Sequence, residues 1–570
     1  MFLPGCGLTP ERSPTAHANA YADKTQKTYD LAFYRNKSYI CADLEPASTP
    51  MAEKRYYPIG IQTFSEIRSK EMLYVDKTRY MYTVANDYKY VFLSRPRRFG
   101  KSLLTSTLRC YFEGRKELFE GLSIEKLEKE WNSYPVLHFD MSKARSSDIT
   151  VIESMINLQL DSYEQIYGRA EKETTLNGRF EGVITRAFNQ TGRPVVVLID
   201  EYDAPMLGVL HDERKLADFR EMMTNFYSPL KACGPHIRFC FLTGITKFSQ
   251  LSIFSTLNNI KNISMMPQYA AICGITREEM ETQMSRDIDE LALKMSLTRE
   301  ETIKKLVEYY DGYHFTMPSP DIFNPFSLLN AFSDGRIKPY WFETGTPTYL
   351  IEMLRKFGVV PSQVGKEEDV TAADFDAPTE QMSTITPLVY QSGYSTIKDY
   401  DPDTESYTLD IPNKEIRIGL MQSLMPYYVQ VPSQTGNTTA VRMYKALRRD
   451  DMDGALKELQ KFLGTVPQTD NTNYEGHYQQ MLFIIFSLLG MYCDVEARTP
   501  RGRVDLVMST HSTLYIIELK MNRDAQTAMA QINLKDYPAR FAACGLPRVK
   551  VGVNFDITQR NITGWLIEPA

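Results

Sequence analysis

Two kinds of hydrophobic pattern alternate along the first half of the chain. Short apolar runs without polar alternation are typical of strands buried on both faces of a parallel sheet. Stretches with helical spacing separate most of these runs. Because parallel neighbours need long crossovers, the pattern predicts an α/β fold with a doubly wound parallel sheet. The predicted strands are Tyr90–Leu93, Val136–Asp140, Pro194–Ile199, Ile237–Gly244 and Tyr269–Gly274.

The pattern changes after residue 276. Residues 277–360 have helical spacing and follow the capping-box sequence that begins at Thr276, which predicts a helical lid. Residues 361–464 carry no catalytic signature; they mix turns and short strands and become helical from residue 438. Near the C-terminus, the runs Arg503–Met508 and Leu514–Lys520 flank a polar turn and predict a β-hairpin.

The loop after the first strand carries a phosphate-binding motif. It contains Arg97, Arg98, Gly100, Lys101 and Ser102, and a helix-like run follows it. A strand, a loop with Gly-Lys-Ser and a helix form a cradle for nucleotide phosphates. The glycine permits close approach, the lysine supplies a positive charge, and the serine hydroxyl binds Mg²⁺. We therefore predict that ATP and Mg²⁺ bind here.

One position of this motif departs from the usual pattern. The first glycine of the motif would fall at Arg95. The alternative interpretation is a basic surface loop before an amphipathic helix. Two acids at the end of a later predicted strand, Asp200 and Glu201, favour the phosphate cradle.

Asp200 and Glu201 directly follow the predicted strand that ends at Ile199. Open α/β sheets bind ligands at the carboxyl ends of their strands. We expect Asp200 to hold Mg²⁺ together with Ser102, and Glu201 to orient or deprotonate a water. The alternative is a strand that ends in a solvated turn.

Thr243 lies near the end of another predicted strand and is a candidate sensor of the γ-phosphate. Thr246 and Lys247 are alternatives for this role. Strand ends carry polar residues in any case, so all three remain open.

The predicted C-terminal hairpin brings two acids together. If its turn is centred between His511 and Ser512, Asp505 pairs with Glu518, with Cβ atoms about 5 Å apart. Facing like charges destabilise a sheet, and a divalent cation between them reverses that effect. Lys520 shares the face of Glu518 and would position the water or offset developing charge. We predict a metal site of Asp505 and Glu518, the alternative being an exposed hairpin with scattered charges.

Two further residues are candidates for the same site. Glu475 precedes a strongly apolar helix and would add a carboxylate; the alternative is an acid that stabilises the first turn of that helix. Gln531 lies on a predicted helix after the hairpin and would hydrogen-bond a substrate or a metal-bound water. Its alternative is a solvated helix face.

The order Glu475, Asp505, Glu518, Lys520 and Gln531 resembles the PD-(D/E)XK nuclease superfamily. The resemblance implies a metal-dependent phosphodiesterase with a mixed sheet flanked by helices. It implies Mg²⁺, or Mn²⁺, as the cofactor at this site.

From about residue 54 onward the chain resembles a bacterial family of AAA-ATPase-like proteins fused to a C-terminal PD-(D/E)XK domain. That family has arginine at the start of its phosphate loop. The matching stretches are Pro58–Phe64, Tyr74–Thr78, Arg95–Ser102, Leu198–Asp203, Asp311–Tyr313, Asn324–Ser327 and Thr344–Pro347.

Five segments follow from these motifs. We expect residues 1–52 to be a disordered extension, with translation starting at Met51, and 53–276 to be an AAA-ATPase-like P-loop domain. Residues 277–360 form the lid, 361–464 the linker or accessory region, and 465–570 the PD-(D/E)XK nuclease-like domain.

Composition limits the partners. The 570 residues carry a net charge of −6, so nucleic acid would need local basic patches such as Arg498, Arg501 and Arg503. The eight cysteines form no C-x-x-C pair, and no apolar run is long enough to span a bilayer. We expect a cytoplasmic protein, without membrane contact, that binds nucleotide and DNA or RNA. Related ATPases work as rings or dimers, so a homo-oligomer is compatible with the sequence.

Two functions remain open at this stage. The first is an ATP-dependent or ATP-regulated nuclease. The second is an NTP-switched interaction or nucleic-acid-binding protein whose nuclease fold is inactive.

Overall fold

A computed structural model describes ten stretches of the chain. They are residues 55–144, 146–209, 212–247, 260–342, 348–377, 382–466, 475–490, 494–498, 504–534 and 545–570. The expected N-terminal extension, residues 1–52, lies outside the described residues.

Five parallel strands form the first sheet, in the order β2-β3-β4-β1-β5. Because β1 and β3 both lie beside β4, their carboxyl ends share one edge of the sheet, where such sheets bind ligands. The α/β class and the parallel sheet are as the sequence predicts. The strands are β1 Tyr90–Ser94, β2 Val136–Asp140, β3 Val195–Asp200, β4 Ile237–Gly244 and β5 Lys261–Asn262.

Helices cover both faces of this sheet. Phe92, Val195 and Val197 pack into one core with residues of α5, α6 and α8, whereas Val91 and Leu93 pack with α3 on the other side. The helices are α1 Phe64–Ser69, α2 Thr78–Asp87, α3 Lys101–Phe112, α4 Ile124–Leu127, α5 Ile149–Tyr167, α6 Leu176–Thr191, α7 Ala204–Leu207, α8 Glu213–Tyr227 and α9 Pro229–Ala232.

The predicted strand at Tyr269–Gly274 is wrong. A short 3₁₀ turn ends at Tyr269, and the fifth strand of the sheet is Lys261–Asn262 instead. The segment is apolar because it packs under the phosphate loop: the Gly274 N–H donates to the Phe99 carbonyl at 3.0 Å. Gly274 has φ +91°, which a regular strand does not allow.

The described residues of 277–360, the region predicted to be a lid, are largely helical, as their pattern predicts. Its first helix begins at a capping box between Thr276 and Glu279. The two-stranded antiparallel pair β6 Ile275–Thr276 and β7 Ile322–Phe323 ties the start of the lid to its middle. The helices are α10 Arg277–Gln283, α11 Ser285–Met295, α12 Arg299–Tyr310, α13 Pro325–Asp334 and α14 Thr348–Lys356.

The middle region contains a three-stranded antiparallel sheet in the order β8-β10-β9. Its strands are β8 Glu367–Val370, β9 Thr396–Asp401 and β10 Ser406–Asp410, and its helices are α15 Ala372–Phe375, α16 Thr386–Gln391, α17 Lys414–Tyr428, α18 Ser433–Leu447 and α19 Met452–Leu463.

Helix α17 corrects the expectation of turns and short strands before residue 438. Asn413 caps it, and its side-chain oxygen accepts the Ile416 N–H. The helix contacts α12 of the lid, α18 and the first helix of the C-terminal region, so apolar residues lie on several faces. Burial on several faces removes the amphipathic spacing that would have revealed the helix.

The C-terminal region is a mixed five-stranded sheet in the order β11-β12-β13-β14-β15. Among its described strand pairs, β13–β14 is parallel and the others are antiparallel. The elements are α20 Glu475–Leu489, β11 Asp494–Arg498, β12 Val504–Ser509, β13 Leu514–Met521, α21 Ala525–Leu534, β14 Arg548–Asp556 and β15 Asn561–Pro569. The predicted hairpin and mixed sheet are confirmed.

Within the described residues, no helix combines the length and the apolarity that crossing a membrane requires.

Gly274 supplies a test of the packing below the phosphate loop. A Cβ at this position would lie 2.2 Å from Ile322 Cγ2, in addition to the strain of φ +91°. We expect Gly274→Ala to lower the free energy of unfolding by about 2–5 kcal/mol. Denaturant titration followed by circular dichroism measures the loss.

Gly192 is the matched control, because it also has positive φ but would place a Cβ in open space. Gly192→Ala should cost only about 1–2 kcal/mol. Equal losses in the two variants would contradict the close packing at Gly274.

Candidate functional site

A cavity of about 400 Å³ lies over the carboxyl edge of the first sheet. The phosphate loop, the acid end of β3, residues 58–62 and the first turns of α13 surround it. The residues that line it are Pro58, Ile59, Gly60, Ile61, Gln62, Arg97, Arg98, Gly100, Lys101, Ser102, Leu103, Glu201, Pro325, Phe326 and Leu329. The structure therefore brings together most of the predicted nucleotide-binding residues.

Lys101 begins α3 and is buried at the floor of the cavity. Its ammonium group donates to the carbonyl oxygens of Arg95 at 2.9 Å and Pro96 at 3.0 Å. Burial lowers the pKa of Lys101, while the negative charges of Asp200 and Glu201 oppose that shift. The two carbonyl bonds orient the ammonium and leave its third N–H for another acceptor.

Asp200 ends β3 and is almost fully buried beside the phosphate loop. It accepts a hydrogen bond from the Ser102 hydroxyl. Burial raises the pKa of Asp200 to about 6, because few groups replace the water that a charged carboxylate needs. The serine and the aspartate thus meet where a Mg²⁺ ion would need both.

Glu201 follows Asp200 in a strained backbone conformation, with φ +50°. Its N–H donates to the Asp200 carboxylate at 3.0 Å, and its side chain lines the cavity. Such strain in a residue with a side chain is typical of functional positions.

The two arginines of the loop behave differently. Arg97 is exposed at the cavity rim. Arg98 has φ +69°, stacks 3.9 Å over the Phe326 ring, and donates to the Trp341 carbonyl at 3.0 Å. Arg98 therefore connects the phosphate loop to the lid.

Arg95 explains how the loop keeps its shape without its first glycine. Its guanidinium is buried away from the cavity and donates to the carbonyls of Ser264 at 2.7 Å and Tyr269 at 3.2 Å. It also stacks 4.2 Å from the Phe315 ring centre. Burial lowers the pKa of Arg95 to about 10. Its place in the motif could have suggested a role in fixing the loop.

Thr243 is fully buried in β4, and its hydroxyl donates to the Leu93 carbonyl at 2.8 Å. The hydroxyl thus joins two strands of the sheet. The other two sensor candidates are also engaged: Thr246 Oγ1 donates to Asp203 at 2.7 Å, and Lys247 Nζ to Asp376 at 2.8 Å. A γ-phosphate sensor stays a prediction.

Asp203 is a residue that the sequence reasoning missed. Its carboxylate is buried and accepts the N–H groups of Ile245 at 3.0 Å and Thr246 at 2.7 Å. It fixes the segment after β4 to the acid end of β3. The sequence signal that could have indicated this role is the position of Asp203, three residues after Asp200 at the end of β3.

The second predicted site lies on the β12–β13 hairpin. Asp505 and Glu518 are direct partners in the antiparallel register, as the sequence arithmetic predicts. Glu518 is fully buried, and Lys520 Nζ lies 2.5 Å from Glu518 Oε1. The lysine ammonium therefore supplies the positive charge next to the Glu518 carboxylate in this structure.

Gln531 lies on α21, which packs against β13 and β14. Its side-chain Nε2 is buried and has no hydrogen-bond partner among the described residues. A buried amide without a partner is costly, so it calls for an acceptor from a ligand or a water.

Glu475 begins α20, but its side chain and that of Asp505 lie outside the described residues. So do the side chains of Arg498, Arg501 and Arg503, the predicted basic patch. Among the described side chains, no three His, Cys, Asp or Glu residues are grouped as metal ligands. A metal set that includes Asp505 and Glu475 therefore stays a prediction.

Glu415, in the first turn of α17, was also missed. It is fully buried and accepts the N–H groups of Tyr340 at 2.6 Å and Trp341 at 2.9 Å. Burial raises its pKa to about 7. The sequence gives no local sign of this role, since the partners lie about 75 positions away.

Family models of known proteins match the two regions of the chain that contain the candidate sites. A family model described as a predicted AAA-ATPase matches residues 58–254, and one of the PD-(D/E)XK nuclease superfamily matches residues 473–565. A protein of Azotobacter chroococcum mcd 1, described as an uncharacterized protein in the vnfD 5′ region, is 32% identical over 527 residues. The alignment covers 90% of this chain and 99% of that protein.

Both site regions thus match, in the expected order, and the relative extends across nearly the whole of both chains. The chain belongs to a bacterial family in which a predicted AAA-ATPase domain precedes a C-terminal domain of the PD-(D/E)XK nuclease superfamily.

Proposed function

We propose that this protein binds and hydrolyses ATP with Mg²⁺ and cleaves DNA or RNA at a metal-dependent C-terminal site under ATP control. The observation that carries the nuclease part is the register of Asp505 opposite Glu518, with Lys520 bonded to Glu518. Two opposed acids beside a lysine fit the residues that metal-assisted phosphodiester hydrolysis requires.

In the nucleotide cavity, different residues would bind the phosphates, the Mg²⁺ ion and the attacking water. Lys101 and the N-terminal N–H groups of α3 hold the phosphates, while Ser102 and Asp200 hold Mg²⁺. Glu201 orients or deprotonates the attacking water, for which its place in the cavity wall is suited. Arg97 and Arg98 offset negative charge at the outer phosphates.

The base of the nucleotide would lie in a second cavity beside the phosphates. A smaller, mainly apolar cavity shares Pro58, Leu103, Pro325 and Leu329 with the main one. A planar base fits between such apolar walls, and lid residues on α13 would close over it. This position makes the lid sensitive to bound nucleotide.

At the hairpin, Asp505 and Glu518 would hold Mg²⁺ or Mn²⁺, which would activate a water and stabilise charge on the phosphoryl group. Lys520 would then release Glu518 and offset charge at the reacting phosphate. Gln531 has an amide N–H available for a phosphate oxygen. Glu475 would add a further carboxylate from α20.

Arg98 offers a physical connection between ATP and the C-terminal domain. It bonds the carbonyls of Tyr340 and Trp341, whose N–H groups bond Glu415. Glu415 lies in the first turn of α17, and α17 packs against α20, which starts at Glu475. A nucleotide that displaced Arg98 would alter this chain of contacts.

The second function, an NTP-switched binding protein, is favoured by one observation. Glu518 is fully buried and paired with Lys520, so its carboxylate already has a positive counter-charge other than a metal. In that case the fold would bind nucleic acid or a partner without cutting it.

Cleavage assays separate the two functions. Purified protein is mixed with single- and double-stranded DNA and RNA, with Mg²⁺ or Mn²⁺, and with or without ATP. We expect Glu518→Gln to lower cleavage by at least about 100-fold, because it removes a metal-binding charge. Lys101→Ala should abolish ATP hydrolysis.

Glu568→Gln is the matched control for Glu518→Gln, since it neutralises an exposed acid in the same sheet. It should cleave like wild type. Undiminished cleavage by Glu518→Gln would refute the hairpin site, and wild type that binds but never cuts would support the second function.

Glu415 variants test the connection between the domains. Glu415→Ala leaves two backbone N–H groups without their acceptor, at about 1–3 kcal/mol each, and loosens Tyr340 and Trp341. We expect the ratio of cleavage rates with and without ATP to fall towards one. Glu415→Gln retains an acceptor oxygen and should retain the ratio. An unchanged ratio in Glu415→Ala would contradict this route.

The raised pKa of Glu415 predicts a pH dependence of stability. The carboxyl has its ordinary pKa of 4.5 in the unfolded chain and a pKa of about 7 in the folded protein. Its stabilising contribution is therefore complete below pH 4.5 and is lost as the pH rises through 7. Gln cannot lose a proton. Relative to wild type, the free energy of unfolding of Glu415→Gln should therefore rise by up to about 3 kcal/mol as the pH increases between these values.

Urea titrations of both proteins at about pH 5 and pH 8 measure this gain, because other titrating groups cancel in the difference. A stability difference that does not vary with pH would show that the Glu415 carboxyl is not held in a buried environment.

A further inference from the structure

A second large cavity, of about 420 Å³, lies between α17 and the C-terminal sheet. Its walls come from α12, the first turns of α17, helix α20 and the closed end of the β12–β13 hairpin. Within the described residues, it shares no wall residue with the nucleotide cavity. Leu514 in its wall is four residues from Glu518 along β13, which corresponds to about 13 Å.

Arg417 gives this cavity an unmatched positive charge. The side chain is half-buried in the wall, and its guanidinium has no carboxylate or carbonyl partner among the described residues. Guanidinium groups that lose water are normally paired, and their planar donors suit phosphate oxygens in particular.

The neighbouring charges leave that positive charge in place. Lys414 is paired with Glu308 at 2.7 Å, so these two side chains cancel. The cavity therefore carries a net charge of about +1 from Arg417 and favours an anion.

The other wall residues indicate the size of that anion and the kinds of groups that its charged part carries. Ser487 and Ser509 contribute hydroxyl groups, and Phe483, Val507 and Leu514 contribute an apolar wall. The volume falls in the range of cavities that enclose small organic ligands and exceeds what inorganic phosphate fills. A guanidinium, hydroxyls and an apolar wall correspond to the phosphate, sugar and base of a nucleotide.

We propose that this cavity binds a nucleoside 5′-monophosphate group, with the phosphate on Arg417. The group is either a free mononucleotide or the 5′-phosphorylated end of a short nucleic-acid fragment. Because the cavity lies between α17 and the hairpin that carries Glu518, its occupant contacts both α17 and the C-terminal sheet. The site stands on its own residues and does not require the nuclease activity.

Calorimetry tests the proposal in a Lys101→Ala background, which weakens binding at the first cavity. The probes are AMP, a 5′-phosphorylated dinucleotide, and adenosine. We expect AMP, the dinucleotide or both to bind, and Arg417→Gln to weaken that binding by about tenfold or more. Arg417→Lys should retain part of it. Adenosine, which lacks the phosphate, should bind weakly and equally to all variants.

Arg449→Gln is the control, since Arg449 is an exposed arginine of the same region outside the cavity wall. It should bind AMP like the parent protein, and thermal melting checks that each variant is folded. The proposal is overturned if neither phosphorylated probe binds at millimolar concentration, or if Arg417→Gln binds as the parent does. Because the readout is binding, loss of cleavage cannot be mistaken for either result.

Discussion

The proposed chemistry depends on the antiparallel register that sets Asp505 opposite Glu518. Opposite positions of neighbouring strands lie about 5 Å apart, where two like charges are unfavourable. The structure relieves this with the Lys520 ammonium, 2.5 Å from Glu518 and buried with it. An ion pair held inside a sheet is costly to desolvate, so the pair of Glu518 and Lys520 is not explained by a gain in stability alone. A divalent cation would replace the lysine as the counter-charge.

The proposed nucleotide site depends on a different constraint, the parallel order of the first sheet. Placing β4 between β1 and β3 brings Lys101 and Asp200 to one edge, although about 100 residues separate them. Arg95 and Asp203 then hold the surrounding loops through backbone bonds rather than through ligand contacts. Arg98 joins the loop after β1 to the helical region that follows the sheet, because it donates to the Trp341 carbonyl.

Local patterns were sufficient for the motifs and for the hairpin register, because each depends on residues close together in sequence. The apolar segment at 269–274 misled the strand assignment, since packing under the phosphate loop demands the same residue types as a buried strand. Helix α17 was missed because burial on several faces hides its period. Glu415 and Arg417 could not be predicted, since their roles depend on how distant helices pack.

The most direct test of the central claim is a calorimetric titration of Mn²⁺, without nucleotide, into the Asp200→Asn protein, with and without Glu518→Gln. Asp200→Asn removes the carboxylate proposed to hold metal at the first site, so the difference between the two titrations reports the hairpin. The opposed carboxylates predict Mn²⁺ binding that weakens by about 10–100-fold when Glu518 loses its charge. Identical titrations of the two proteins would contradict a metal held between these strands.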